Sequence, residues 1–156
     1  LRFLHETGSS LSLKNEYENG SGLLPDCRLR YGLWFRSKDL RAEDVTERLR
    51  IEPDHVLGKE KLSGGVTDRR NAWLLRTELL PFEEQSQACK DFCSKFIACE
   101  REIIELLRMK ETDAELDLSL YTGRCSFDAL VLPRELTELA YRIGTEIYLG
   151  FYAVPR

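Results

Sequence analysis

A chain of 156 residues with 23 Lys and Arg against 27 Asp and Glu carries a net charge of -4, which disfavours non-specific attachment to a phosphate backbone or an anionic membrane. Its 42% hydrophobic and 32% charged residues are those of an ordinary globular domain, long enough to bury a core without staples. The longest apolar runs, such as Ile147 to Ala153, are too short to span a bilayer, and no signal pattern opens the chain.

From the amino end, residues 7–26 are rich in Gly, Ser and Asn without sustained periodicity, so residues 1–27 read as a polar tail, or as an arm ordered only where something holds it. At Arg28 the pattern changes. Leu29, Tyr31, Leu33 and Phe35 alternate with Arg30, Gly32, Trp34 and Arg36, which predicts a strand with one buried face. A short helix is predicted over 42–49, where Val45 and Leu49 are spaced i,i+4 and Glu43 and Asp44 favour the positive end of its dipole. Residues 53–71 form the longest polar connection. The second strand, 72–79, is closed by Pro81, and its inward face is open between Leu74 and the pair Trp73 and Leu75.

From Phe82 to Met109, apolar residues including Cys89, Phe92, Phe96, Ile103 and Leu106 recur at helical spacing, predicting one long amphipathic helix. Residues 114–121 alternate leucines with Glu115, Asp117, Ser119 and Tyr121, a half-solvated strand. Residues 125–132 read as extended. Pro133 then opens a helix at its first position, with Leu136, Leu139, Ala140 and Ile143 inward and Gly144 as the carboxy-terminal cap. The closing strand, 145–153, places Ile147, Leu149 and Phe151 on one face and Tyr148, Gly150 and Tyr152 on the other. The expected fold is α+β: a single domain over 28–156 with a four-stranded, mainly antiparallel sheet, three helices on one face, and the order β-α-β-α-β-α-β.

Several of these stretches form an ordered set: the aromatic first strand, Asp44-Val45-Thr46, the run Leu49 to Asp54, Gly58, Trp73, the run Leu132 to Leu136, and Ile147-Tyr148. Over about residues 29–152 the chain resembles the bacterial family filed as domain of unknown function 4279. The resemblance implies a small, largely bacterial α+β domain, with no agreed catalytic residues to carry over.

Chemistry-bearing constellations are few. The cysteines, Cys27, Cys89, Cys93, Cys99 and Cys125, are odd in number, which reads as reduced thiols in a cytoplasmic protein. Cys89 and Cys93 lie i,i+4 on a helix without a neighbouring His, and read as core rather than as metal ligands. A nucleophilic enzyme needs a general base, and the histidines are His5 in the tail and His55 in the loop. Pairing Cys27 or Cys125 with His55 carries no motif, so catalysis is disfavoured. Glu83 and Glu84 suit the first turn of a helix. No cofactor is expected.

Two surfaces remain. On the sheet, Arg30, Trp34 and Arg36 of the first strand, with Tyr121, Tyr148 and Tyr152, alternate with the core set. They are residue types that dominate protein interfaces. A protein partner is expected there, either a foreign one or a second copy; alternatively Tyr17, Leu23 and Leu24 of the arm cover the face. Nucleic acid is disfavoured, since the aromatic-glycine motif of RNA-recognition sheets is absent and the charge is negative. In the loop, His55, Lys59, Arg69 and Arg70 offer an alternative anion site, with Gly64 and Gly65 opening the backbone to a phosphate. The reading these surfaces favour is a non-catalytic interaction domain, of the kind bacteria use in immunity or defence.

Overall fold

Every second side chain of the strand that starts before Leu29 is buried against helices, and the others lie on the opposite face. A computed structural model of the chain describes residues 2–4, 27–58, 70–81, 84–109, 111–122 and 131–153. Its strands are β1 (Arg2–Leu4), β2 (Cys27–Ser37), β3 (His55–Leu57), β4 (Asn71–Arg76), β5 (Leu80–Pro81), β6 (Thr112–Thr122) and β7 (Glu146–Ala153). Among the described residues the helices are α1 (Ala42–Leu49), α2 (Gln85–Ile97), α3 (Glu100–Leu107) and α4 (Arg134–Ile143).

The strands form one sheet in the order β1-β7-β6-β2-β4-β3, with β5 pairing beside β2. The expectation of four mainly antiparallel strands is corrected in two respects. The sheet is mixed, because β7 runs parallel to β6, reached through α4 as a βαβ crossover, and β1 runs parallel to β7. The strands beyond the expected four are short: β1 and β3 have 3 residues each and β5 has 2. That is too little for a period-two pattern to register in the sequence. Thus part of the expected tail is an edge strand, and so is the start of the expected polar loop.

The helix count also rises from three to four, because the long helix breaks at Ala98 and Cys99. Cys99 leaves helical geometry at φ -120° and ψ 27°. Its N–H donates to the Phe96 carbonyl at 3.2 Å, and the regular ladder resumes only with Ile103 N–H on the Cys99 carbonyl at 3.0 Å. The Cys99 thiol donates back to the Lys95 carbonyl. On either side of the break each half buries an apolar stripe, Cys89, Phe92, Cys93 and Phe96 before it and Ile103 and Leu106 after it. Pro133 stands one position ahead of its expected place, as the N-cap of α4, while Gly144 closes that helix at φ 71° as predicted.

All four helices contribute to one core with Leu29, Tyr31, Leu33, Phe35, Leu118 and Leu149 of the sheet. Aromatic edges organise it: Phe35 meets Trp73 at 5.7 Å and 71°, and Phe92 meets Phe96 at 5.0 Å and 68°. Trp73 is therefore the inward residue of β4, its indole N–H donating to Thr46 of α1 at 3.0 Å. Leu74 is buried on the other face, outside that core.

Candidate functional site

The sheet face turned away from the helices carries Arg28, Arg30, Gly32, Trp34 and Arg36 from β2. The register sets Tyr121, Ser119, Asp117, Glu115 and Asp113 of β6 beside them, in that order. Next to β6, β7 adds Glu146, Tyr148, Gly150 and Tyr152. Basic side chains collect on one strand and acidic ones on its neighbour, an arrangement cross-strand pairing rewards.

At one end of this face Arg36 grips Glu115 with two parallel hydrogen bonds of 2.9 and 2.5 Å. The same guanidinium lies 5.1 Å from the centre of the Trp34 ring, so a cation–π contact and an ion pair share one side chain. Arg70 donates to Asp113 at 2.9 Å just beyond. At the opposite end Tyr121 and Tyr152 stack at 4.9 Å and 17°, and the Arg30 guanidinium sits 5.7 Å from the Tyr121 ring centre. Tyr152 lies across Gly150, where a Cβ would stand 2.8 Å from the ring; glycine admits the close approach.

Asp117 lies between these ends. Its neighbour on β2 is Gly32, where a Cβ would stand in ordinary contact with Arg76 Cγ at 3.4 Å and Asp117 Cβ at 3.6 Å, so the Arg76 stem lies next to both residues. Ser119 donates a hydrogen bond to the Asp117 carboxylate at 2.7 Å. Burial, with the neighbouring Glu115 charge, pushes the Asp117 carboxyl up to about 6, against the opposing pull of Ser119, Arg76 and Arg30. This perturbed carboxyl, on a central strand but on the face turned away from the Leu116 and Leu118 side chains of the core, makes the polar face the candidate site.

The six residues expected on the interface all lie on this face, but not in equal settings. Arg30 and Tyr121 are buried, while Trp34, Arg36, Tyr148 and Tyr152 are half-buried. Of the alternative anion site, Lys59 and Arg69 lie outside the described residues, as do Gly64, Gly65 and Cys125. His55 is exposed on β3 with its Nε2 against the Arg76 guanidinium. His55 is level with Leu74, whereas Arg70 precedes Asn71, so at about 3.3 Å per residue the two stand roughly 13 Å apart along β4. They do not converge. Glu115, Asp117, Ser119, Arg76 and Gly32 are the site residues the sequence reading did not single out. Their signal was an acidic alternation facing a basic one, which gains meaning only once the register joins them.

On the core side, Cys89 and Cys93 are buried with their sulfurs 3.9 Å apart. Burial and the Cys89 contact hold the Tyr31 phenol well above its usual range. No cluster of three or more His, Cys, Asp or Glu residues suited to a metal occurs among the described residues, and no described helix is long and apolar enough to cross a membrane.

A mixed sheet with the described helices on one side and an aromatic, charged face on the other defines the class: an α+β domain whose second sheet face is polar and covered by none of the described helices. The family model described as Domain of unknown function (DUF4279) matches residues 28–153, from the second residue of β2 to the end of β7, and the chain belongs to that family. No curated protein and no solved structure matches it.

Proposed function

We propose that this domain is a non-catalytic protein-interaction module that engages a protein partner through the Trp34 end of the polar sheet face. The supporting observation is the Trp34–Arg36–Glu115 unit, a large ring and a bidentate ion pair, half-buried, on the two longest strands. Trp and Arg carry a disproportionate share of binding energy. A side chain already fixed by its neighbours loses little entropy on docking. Tyr148, bonded to Glu146 at 3.0 Å, extends the surface across β7. The setting we propose is bacterial immunity or defence, with a protein toxin as the partner. The anionic-ligand reading has no comparable support among the described residues.

The test compares captured partners. A protein drawn from the native host by the wild-type chain is purified and titrated against Trp34→Ala and, as a control on the helix side, Tyr141→Ala. The expected result is a folded Trp34→Ala chain with affinity weakened by about 2 kcal/mol, roughly thirtyfold, and unchanged binding by Tyr141→Ala. Equal binding by all three chains, or loss of far-UV circular dichroism in Trp34→Ala, overturns the reading.

A further inference from the structure

The acidic residues of the polar face differ in how their charge is met. Glu115 is forked by Arg36, and Asp113 accepts from Arg70. Among the described residues no lysine or arginine nitrogen forms an ion pair with Asp117 or Glu146. Each of these carboxylates instead accepts from a neutral hydroxyl, Asp117 from Ser119 at 2.7 Å and Glu146 from Tyr148 at 3.0 Å. A hydroxyl stabilises a carboxylate less than a guanidinium does. The shortage of positive charge shows at Asp117, whose carboxyl is pushed up to about 6 by burial and by Glu115 although Ser119, Arg76 and Arg30 pull the other way.

Register brings the two carboxylates to one spot. Glu115 stands beside Glu146, and Asp117 beside Tyr148, two residues further along β7. One strand spacing and two residues along the strand put the Asp117 and Glu146 Cα atoms roughly 8 Å apart, a gap that two carboxylates and one guanidinium between them can close. Trp34 shares the row of Glu115 and Glu146, on the far side of Glu115. Glu146 is exposed, and Asp117 and Trp34 are half-buried, so a side chain arriving from outside can meet all three. Three carboxylates, Glu115, Asp117 and Glu146, thus stand around one arginine in ion-pair contact, Arg36, and the spot beside Trp34 is complementary to a cation.

We infer that the spot between Asp117 and Glu146 receives an arginine side chain of the protein partner, its guanidinium bridging the two carboxylates next to Trp34. The inference rests on the interaction reading above and adds the partner's chemistry: a basic protrusion matched in charge to the acids of β6 and β7.

A partner-independent probe is Nα-acetyl-arginine amide, titrated into the isotope-labelled full chain and followed by NMR, with the uncharged isostere Nα-acetyl-citrulline amide as control. The arginine amide is expected to shift the Trp34 indole and the Ser119 and Glu146 amide resonances saturably. Asp117→Asn with Glu146→Gln, which removes both charges and keeps both shapes, is expected to weaken that binding several-fold; should this pair unfold the chain, Asp117→Asn alone takes its place. Equal responses to the two amides, no saturable response, or unchanged affinity in the variant overturns the inference. Partner capture separates it from the interaction reading. Loss of the captured protein by Trp34→Ala and by the charge variant supports both. Loss by Trp34→Ala alone overturns the arginine and leaves the interface standing. Retention by Trp34→Ala overturns the interface, and with it a partner's arginine at this spot.

Discussion

On the helix side of β2, Leu29, Tyr31, Leu33 and Phe35 are at most 2% exposed and join one apolar cluster; on the other side, Arg30 is nearly as inaccessible at 7% but has Ser119 and Tyr121 around it and Asp117 two residues along. Burial on the first face removes apolar surface from water and stabilises by its area. On the second it strips water from charged groups, and the energy recovered depends on how well each finds a partner. Glu115 finds one in Arg36. Asp117 has a serine hydroxyl and two arginines that do not fully offset its burial. Low exposure thus marks an apolar core on one side and a buried polar surface on the other.

The largest effect should separate the faces outright. Phe35 is packed edge-on against Trp73, so Phe35→Ala opens a cavity at the junction of β2, β4 and α1. A loss of about 3–5 kcal/mol is expected in urea unfolding. A loss under about 1 kcal/mol would mean that the Phe35 site collapses without a cavity and that the contrast between the faces is overdrawn.

The second effect has the opposite sign and depends on pH. A carboxyl whose pKa is raised by folding binds its proton more tightly in the folded state, so its contribution is most favourable at low pH and is lost as pH rises through about 4 to 6. Charged groups facing Asp117 are Glu115 on its own strand, Arg30 on β2 and Arg76 on β4. Asp117→Asn should therefore stabilise the fold by on the order of 2 kcal/mol at pH 7 to 8 and by almost nothing at pH 4. Denaturation midpoints across that range give the comparison. A destabilised variant at pH 8 would show that Asp117 is adequately paired.

How far this was legible in the sequence depends on which physical scale fixes each feature. The alternation of β2, β6 and β7, the span of α1 and the Gly144 cap are local, and the residues show them directly. Strand direction is not local: nothing in Ile147, Leu149 and Phe151 says whether their strand runs with or against its neighbour, and the parallel β6–β7 pair went unforeseen. Cys99 occupies an apolar position that continues the helical period, so the pattern passes unbroken through the point where the helix breaks. At the site, Trp34, Arg36 and Tyr148 were readable as one face from alternation alone. That Asp117 lies beside Gly32, with the Arg76 stem next to both, is a consequence of register, which the sequence encodes only through the whole sheet.

The smallest expected effect is the sharpest test of coupling within the polar face. Glu115→Gln removes the carboxylate from the Arg36 fork, a half-exposed ion pair whose loss alone costs about 1 kcal/mol. It also removes the negative charge that helps raise the Asp117 pKa, so the remaining carboxyl ionises at less cost. The two contributions oppose each other at neutral pH, and the single variant should lie within about 1 kcal/mol of wild type. In an Asp117→Asn background the relief has no recipient, so only the broken fork remains and Glu115→Gln should be more destabilising by about 0.5–1 kcal/mol. A double-mutant cycle at pH 8 measures that difference directly. Strict additivity would mean that Glu115 and Asp117 act independently and that the polar face is a row of separate pairs; non-additivity that disappears at pH 4, where Asp117 is protonated, would place both carboxylates in one electrostatic unit.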